Sequence, residues 1–250
     1  ERGGPGLWPR RILQLRGWRG FVRPELRRIG SLQRPVVVID DFSGGAHEVA
    51  SLADELAPFL PTGGQSYYPG VRRMIKPADA AANDYVEQLC RRAAQFIAGA
   101  FDFDGFDLIE ASFSMVTTDP ARLLEPQRMP HFDSTDQSYL ALLHYLRVPE
   151  GTGTAFYRQR STGIEVVTDE NLADFVRAAQ AEVKLMPRNS GYIGGSNEYF
   201  EQIGAVEAVP DRLVIYQGSL LHSGIIPPRM KFSADPRQGR LTANIFVRGH

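Results

Sequence analysis

Two regimes of hydrophobic patterning meet near residue 105. Before it, apolar residues recur at helical spacing: Val49, Leu52, Ala53, Leu56 and Phe59 within 45–60, then Tyr85, Val86, Leu89, Ala93, Phe96 and Ile97 within 77–101. Pro58 and Pro61 close the first stretch, and Pro77 opens the second, where a proline ring is tolerated. Residues 35–42, Pro-Val-Val-Val-Ile-Asp-Asp-Phe, read as a short buried strand, and 61–76 as a loop. From Phe106 onward short alternating runs take over. They predict strands at 108–117, 126–134, 139–147, 154–158, 163–167, 182–185, 192–193, 205–209, 213–216 and 241–247. A helix over 169–180, capped by Thr168 or Asp169, interrupts them. Many short strands separated by Gly and Pro turns predict a mainly β chain with flanking helices, a sandwich or jelly roll rather than a βαβ protein. With no internal repeat, a single domain over 35–250 is expected, including support helices 45–60 and 77–101 packed on one sheet.

Composition removes several function classes. Hydrophobic content of 43% and charged content of 23% are those of a soluble globular protein, and a net charge of −1 argues against nucleic acid as the main partner. The charge is unevenly placed: residues 1–34 hold nine Arg and two Glu, net +7, which leaves −8 for the remainder. This basic N-terminal extension also carries Trp8, Ile12, Leu13, Leu15, Trp18, Phe21, Leu26 and Ile29. It reads as an arm whose aromatics pack on the domain, since Gly and Pro interrupt the long amphipathic helix that membrane contact requires. Cys90 is the single cysteine, so no internal disulfide forms, and a reducing, cytoplasmic compartment is expected. No apolar run approaches the roughly 18–20 residues of a transmembrane helix, and no apolar segment of a secretory signal follows Glu1.

The chemistry concentrates at Arg128-Met-Pro-His-Phe-Asp-Ser134. In an extended chain His131 and Asp133 point to one side, so an imidazole and a carboxylate can converge on one cation. His222, after the strand-like run 211–217, offers a third ligand. Two His and one carboxylate on a β scaffold form the facial set that leaves open positions on Fe(II). Two structural histidines satisfied elsewhere explain the same residues equally well. Farther on, Arg240 begins an alternating strand that places Thr242, Asn244 and Phe246 on its own side. If it faces inward it needs a carboxylate, which a bound dicarboxylate supplies in bidentate fashion. Tyr145, on the apolar run 140–146, can share that carboxylate, whereas its neighbour His144 faces the other way. Arg158 and Arg160, with Tyr68 and Arg72, are candidates for the wall of a substrate site, or are exposed loop residues.

The order His131-x-Asp133, Tyr145, Gly153-Thr-Ala-Phe156, His222, Arg240 resembles the 2-oxoglutarate- and Fe(II)-dependent oxygenases, in their prolyl-4-hydroxylase-like branch. The likeness spans about 106–247, and it extends to uncharacterised bacterial members through Tyr68-Pro-Gly70, Phe156-Tyr-Arg158 and Leu221-His-Ser-Gly224. It implies a double-stranded β-helix (a cupin-like jelly roll), iron on His131, Asp133 and His222, and 2-oxoglutarate held by Arg240 and Tyr145 near Thr242 and Asn244. It implies consumption of O2 and 2-oxoglutarate, release of succinate and CO2, and hydroxylation of a peptide, protein side chain or small metabolite. A carboxylate ligand at 133 disfavours halogenation. Arg240 follows His222 by 18 positions, wider than is usual in that family, which leaves Lys231 and Arg229 as alternative anchors. The segments 169–180 and 191–197 are insertions placed to wall a substrate site. A jelly-roll binding module without turnover, or a cupin-like metal enzyme that does not use 2-oxoglutarate, are the competing readings.

Overall fold

The computed structural model describes residues 24–60 and 67–250. The basic arm through Arg23, with Trp8 and Trp18, lies outside the described residues, as does the loop portion 61–66. The elements are β1 (Pro24–Ile29), β2 (Arg34–Ile39), α1 (Ala46–Glu55), β3 (Gly70–Met74), α2 (Ala80–Phe101), β4 (Phe106–Val116), β5 (Tyr139–Arg147), β6 (Gly153–Gln159), α3 (Leu172–Leu185), β7 (Phe200–Glu207), β8 (Leu213–Gln217), β9 (His222–Ile225) and β10 (Leu241–Gly249). The strands form a seven-stranded sheet, β1-β2-β8-β5-β10-β4-β3, and a three-stranded sheet, β7-β6-β9. Each pairing is antiparallel. The chain is therefore mainly β with flanking helices, as its patterning predicts.

Period-two alternation decides which layer each residue enters. Leu241, Ala243, Ile245 and Val247 of β10 join Phe113, Met115, Leu140, Leu142, Leu213 and Ile215 beneath α1 and α2. The same strands turn Leu143, Tyr145, Val214 and Tyr216 to the opposite face, where they meet Phe156 and Val206 of the small sheet. Outside the small sheet, Phe175, Ala179 and Val183 of α3 cover Ala155, Tyr157 and Phe200. The order of layers is thus helices, large sheet, small sheet, helix. Full burial of each such side chain is worth roughly 1.5–3 kcal/mol, so β10, central between β5 and β4, anchors the stack. No helix among the described residues is long and apolar enough to cross a membrane.

Several expected boundaries move. The sheet begins at Pro24, ahead of the boundary at 35, because β1 pairs with β2 along its whole length. The loop expected over 61–76 contains β3, whose Arg72 and Arg73 are neutralised by Glu110 and Asp79. The strand expected at 182–185 is the end of α3: Phe175, Ala179 and Val183 continue one four-residue stripe, and a short apolar run is ambiguous by period alone. Asn171, not Thr168 or Asp169, precedes that helix; its side chain accepts from the Thr168 amide. The strand expected over 126–134 starts instead as a 3-10 turn at Glu125–Arg128, with Gln127 hydrogen-bonding back to Leu124. Residues 163–167 reduce to one bridge between Val166 and Leu220, and 192–193 form no strand.

Between the helices and the large sheet lies a buried polar cluster. His144, on the helix side as expected, contacts Tyr85 Oη through Nδ1 at 2.8 Å and Asp211 Oδ1 through Nε2 at 2.9 Å. The Asp211 carboxylate also accepts from the Ser43 and Gly44 amides and the Ser43 hydroxyl, which fixes the start of α1. An ionised Asp211 requires Nε2 to carry the proton, so Nδ1 accepts from the Tyr85 phenol. Burial pushes the Asp211 carboxyl up, but the hydrogen bonds from His144 and Ser43 outweigh it and hold its pKa below 3.8. Asp211→Asn presents an NH2 to donors and is expected to cost roughly 3 kcal/mol at neutral pH. Because the folded pKa is depressed, this stabilisation is present above the unfolded value and is lost as pH falls below about 4. Urea melts should therefore separate the variant from the parent at pH 7 and bring the two closer together at about pH 3.

Candidate metal centre and its chamber

The His131–Asp133 segment is extended and docks on the chain around His222. His131 N–H donates to His222 O at 2.9 Å, and His222 N–H returns the bond at 2.8 Å. Two residues on, Asp133 N–H donates to Gly218 O at 2.7 Å. The i, i+2 relation expected from the sequence therefore holds, although only one residue pair forms a bridge. One ligand atom from each of His131, Asp133 and His222 lies within 4.8 Å of the others. His222 Nε2 sits 3.5 Å from Asp133 Oδ2, and His131 Nε2 sits 3.9 Å from Asp133 Oδ1. The His131 side chain is 51% exposed and His222 only 6%, so the cluster opens on the His131 side.

The chemistry of this donor set fits a divalent transition metal. His222 Nδ1 donates to Leu220 O at 2.7 Å, which leaves Nε2 as the free lone pair facing Asp133. Burial draws the His222 pKa down to about 4. Protein packed round the ring, followed by the neighbouring His222, draws His131 to about 4 even though half of its side chain meets solvent. Both imidazoles are thus neutral, the form that binds metal. Burial raises Asp133 to about 6, against the pull of His131 and Arg72. A bound dication reverses that upward push.

Gly218 is what lets Asp133 approach. A methyl group at position 218 meets Tyr139 Cδ1 at 2.8 Å and Asp133 Cβ at 3.1 Å. Gly218→Ala is expected to push Asp133 off its position and lower metal affinity about 10–100-fold, as loss of an orienting contact does, with little change in the far-UV spectrum. Mn(II) titration followed by paramagnetic resonance reads the effect.

Behind the cluster, buried polar side chains between the facing sheets (the chamber) include Arg240, Tyr145, Thr154 and Thr242. Tyr216 packs edge-on against His222 at 4.8 Å between centroids, and its phenol lies in the field of both Asp133 and Arg240. Arg240 is 5% exposed, its guanidinium carbon 5.6 Å from the Tyr145 ring centre. Its Nε has no hydrogen-bond partner, its Nη2 reaches Gly153 O only at 3.5 Å, and no carboxylate among the described residues pairs with it. Lys231 and Arg229 are exposed. Tyr145 Oη bonds Thr154 Oγ1 at 2.7 Å, and Thr242 Oγ1 donates to Asn244 Oδ1 at 2.8 Å.

The wall toward β3 and β4 was not anticipated in full. Arg72 and Tyr68 belong to it, and so do Glu110, Ser112 and Ser114, which share the interior face of β4. The alternation Glu110-Ala-Ser-Phe-Ser-Met115 contains the signal: its apolar members pack under the helices, so its polar members face inward. Arg158 is taken up by Glu165 and Glu201, and Arg160 bonds the Asn197 carbonyl; neither bonds to the cluster. Of the two segments expected as walls, 191–197 comes near, with Tyr192 stacked on Phe232 at 6.2 Å and in the field of Tyr68. By contrast, 172–180 belongs to α3 and packs on the outer face of the small sheet, because its apolar stripe covers Tyr157 and Phe200. A separate cavity of 310 Å³, lined by Arg128 and the segment from Met186 to Tyr199, includes none of the cluster residues.

A mainly β chain whose facing sheets bring a His-x-Asp pair and a distant histidine to one point, with a buried arginine behind them, defines a candidate mononuclear metal centre. The chain belongs to a family of unknown function, DUF6445, whose model matches residues 22–247. No curated protein matches the sequence. Among solved structures it is similar to HygX from Streptomyces hygroscopicus with nickel and 2-oxoglutarate bound, at 16% identity and a TM-score of 0.51, covering 86% of this chain and 82% of that one. It is also similar to a Pseudomonas putida prolyl-4-hydroxylase, at 15% identity and a TM-score of 0.47, covering 86% of this chain and 93% of that one. Likeness at this level establishes a shared fold with HygX.

Proposed function

We propose that this chain is an Fe(II)- and 2-oxoglutarate-dependent dioxygenase built on a double-stranded β-helix. It hydroxylates a peptide, protein side chain or small metabolite and releases succinate and CO2. One observation carries the reading: Arg240, buried without a carboxylate partner among the described residues, lies on the interior face behind the His131, Asp133 and His222 cluster. An unpaired buried guanidinium is costly, and a dicarboxylate co-substrate offsets that cost with a bidentate ion pair. The resemblance of the motif order to prolyl-4-hydroxylase-like oxygenases supports it, as does a HygX structure that holds 2-oxoglutarate on the same fold.

His131, Asp133 and His222 would hold the iron, which, with 2-oxoglutarate and O2, supplies the oxidising chemistry. The protein's own part is positioning and exclusion of water. Arg240 grips the far carboxylate, and the Tyr145 phenol, already on Thr154, adds a donor or acceptor beside it. Thr242 and Asn244 complete the polar floor. Tyr216, edge-on to His222 and in the field of both Asp133 and Arg240, stands between this end and the cluster.

Purified protein with Fe(II), ascorbate and 2-oxoglutarate should release succinate even without a prime substrate, and Asp133→Ala should abolish the release. Tight anaerobic binding of metal and 2-oxoglutarate with no succinate from any substrate would instead identify a binding module. Full activity after loss of Arg240 would identify a metal enzyme that does not use 2-oxoglutarate.

A further inference from the structure

We infer that the chamber selects a zwitterionic substrate, one carrying both an ammonium and a carboxylate, through the ion pair Arg72–Glu110. The inference rests on the metal-site reading above and goes beyond it by naming what the site accepts.

Arg72 on β3 and Glu110 on β4 face the interior side of the large sheet, Nη2 to Oε1 at 2.7 Å, with side chains 21% and 34% exposed. Ser112, fully buried, supports the guanidinium from below at 3.0 Å. Aromatic rings line the remaining sides. The guanidinium carbon lies 5.9 Å from the Tyr68 ring centre and 5.9 Å from that of Phe246. Phe246 stacks in turn on Tyr139 at 5.4 Å. The pair also adjoins the metal cluster through packed side chains: Arg72 lies over Phe246, Phe246 stacks on Tyr139, and Tyr139 and Asp133 flank Gly218.

A charged pair on the interior face of a sheet is a poor device for stability alone, because apolar residues of the same volume serve as well or better. Its value lies in exchange. A ligand with one charge takes one partner and leaves the other half-buried and unpaired, which weakens its binding. A zwitterion engages both: its ammonium takes Glu110 and the surrounding rings, and its carboxylate takes Arg72. One ion pair becomes two and no charge is stranded. Rejection of singly charged analogues follows from the same imbalance.

The test uses the whole chain, loaded anaerobically with Mn(II) and 2-oxoglutarate, and calorimetric titration with the protein amino acids. Each is compared with its decarboxylated amine and its deaminated acid. At least one amino acid should bind at least about tenfold tighter than both of its analogues, and Glu110→Gln should erase that preference while metal and 2-oxoglutarate still bind. Equal binding of an amine or an acid, or no binding of any zwitterion, overturns the inference. Loading is measured first and separately. If Mn(II) or 2-oxoglutarate does not bind, the metal-site reading falls, and the same panel on the unloaded chain still decides the role of the ion pair. Urea midpoints of Glu110→Gln and Arg72→Met complete the test: a pair that only ties β3 to β4 lowers the midpoint and leaves the panel unchanged, which also overturns the inference.

Discussion

His222→Ala should reduce affinity for a divalent transition metal by roughly 10³-fold, about 4 kcal/mol. Loss of an outer contact to a ligand already costs 10–100-fold, and this substitution removes a ligand itself. It also removes the most buried member of the set, whose Nδ1 bond to Leu220 aims Nε2 at Asp133. The reciprocal backbone bonds between 131 and 222 need no side chain, so the strand pairing survives and the loss belongs to coordination. Co(II) absorbance or Mn(II) paramagnetic resonance measures it, with His47→Ala, an exposed histidine of α1, as the control. Parent-like affinity in the variant would remove the cluster as a metal centre.

How much of this was legible beforehand depends on what each residue's partner is. The strand predicted over 139–147 is β5 to the residue, because seven of its members alternate strictly between two buried faces and no charge interrupts them. The start of β10 at Leu241 was legible for the same reason. β1 and β3 were hidden because their arginines look solvated in sequence. Besides its neighbour Glu25, Arg27 is held by the Ala205 carbonyl, and Arg72 by Glu110 and Ser112, distant partners that only folding supplies. The proximity of His131, Asp133 and His222, the candidate ligands, was readable because His-x-Asp in an extended chain has one geometry, and a strand-borne histidine can reach it. Tyr216 and the polar members of β4 were not singled out. A tyrosine in an apolar run, or a serine in an alternating one, acquires meaning only when the second sheet closes over it. Thr154 as the partner of Tyr145 is likewise a product of sheet apposition, invisible along either strand.

Arg240→Met should produce two effects of opposite sign. In the ligand-free protein the guanidinium is buried with its Nε unsatisfied, so its charge is a cost, offset by contact with the Tyr145 ring, worth about 1 kcal/mol, and by the long bond to Gly153 O. Methionine has similar length and no charge, and the urea midpoint should stay level or rise, whereas truncating a buried, well-paired residue lowers it. With 2-oxoglutarate the balance inverts. The missing ion pair should weaken binding by roughly 2–5 kcal/mol, about 30-fold to several thousandfold. The ligand-induced rise in stability should vanish with it, since that rise scales with the logarithm of ligand over Kd. Lys231→Ala should leave both quantities unchanged, because that side chain is exposed. Anaerobic calorimetry with N-oxalylglycine, paired with urea melts with and without the ligand, reads both effects on the same samples. A midpoint that falls while binding is retained would assign Arg240 a packing role and return the search for the carboxylate anchor to Arg72.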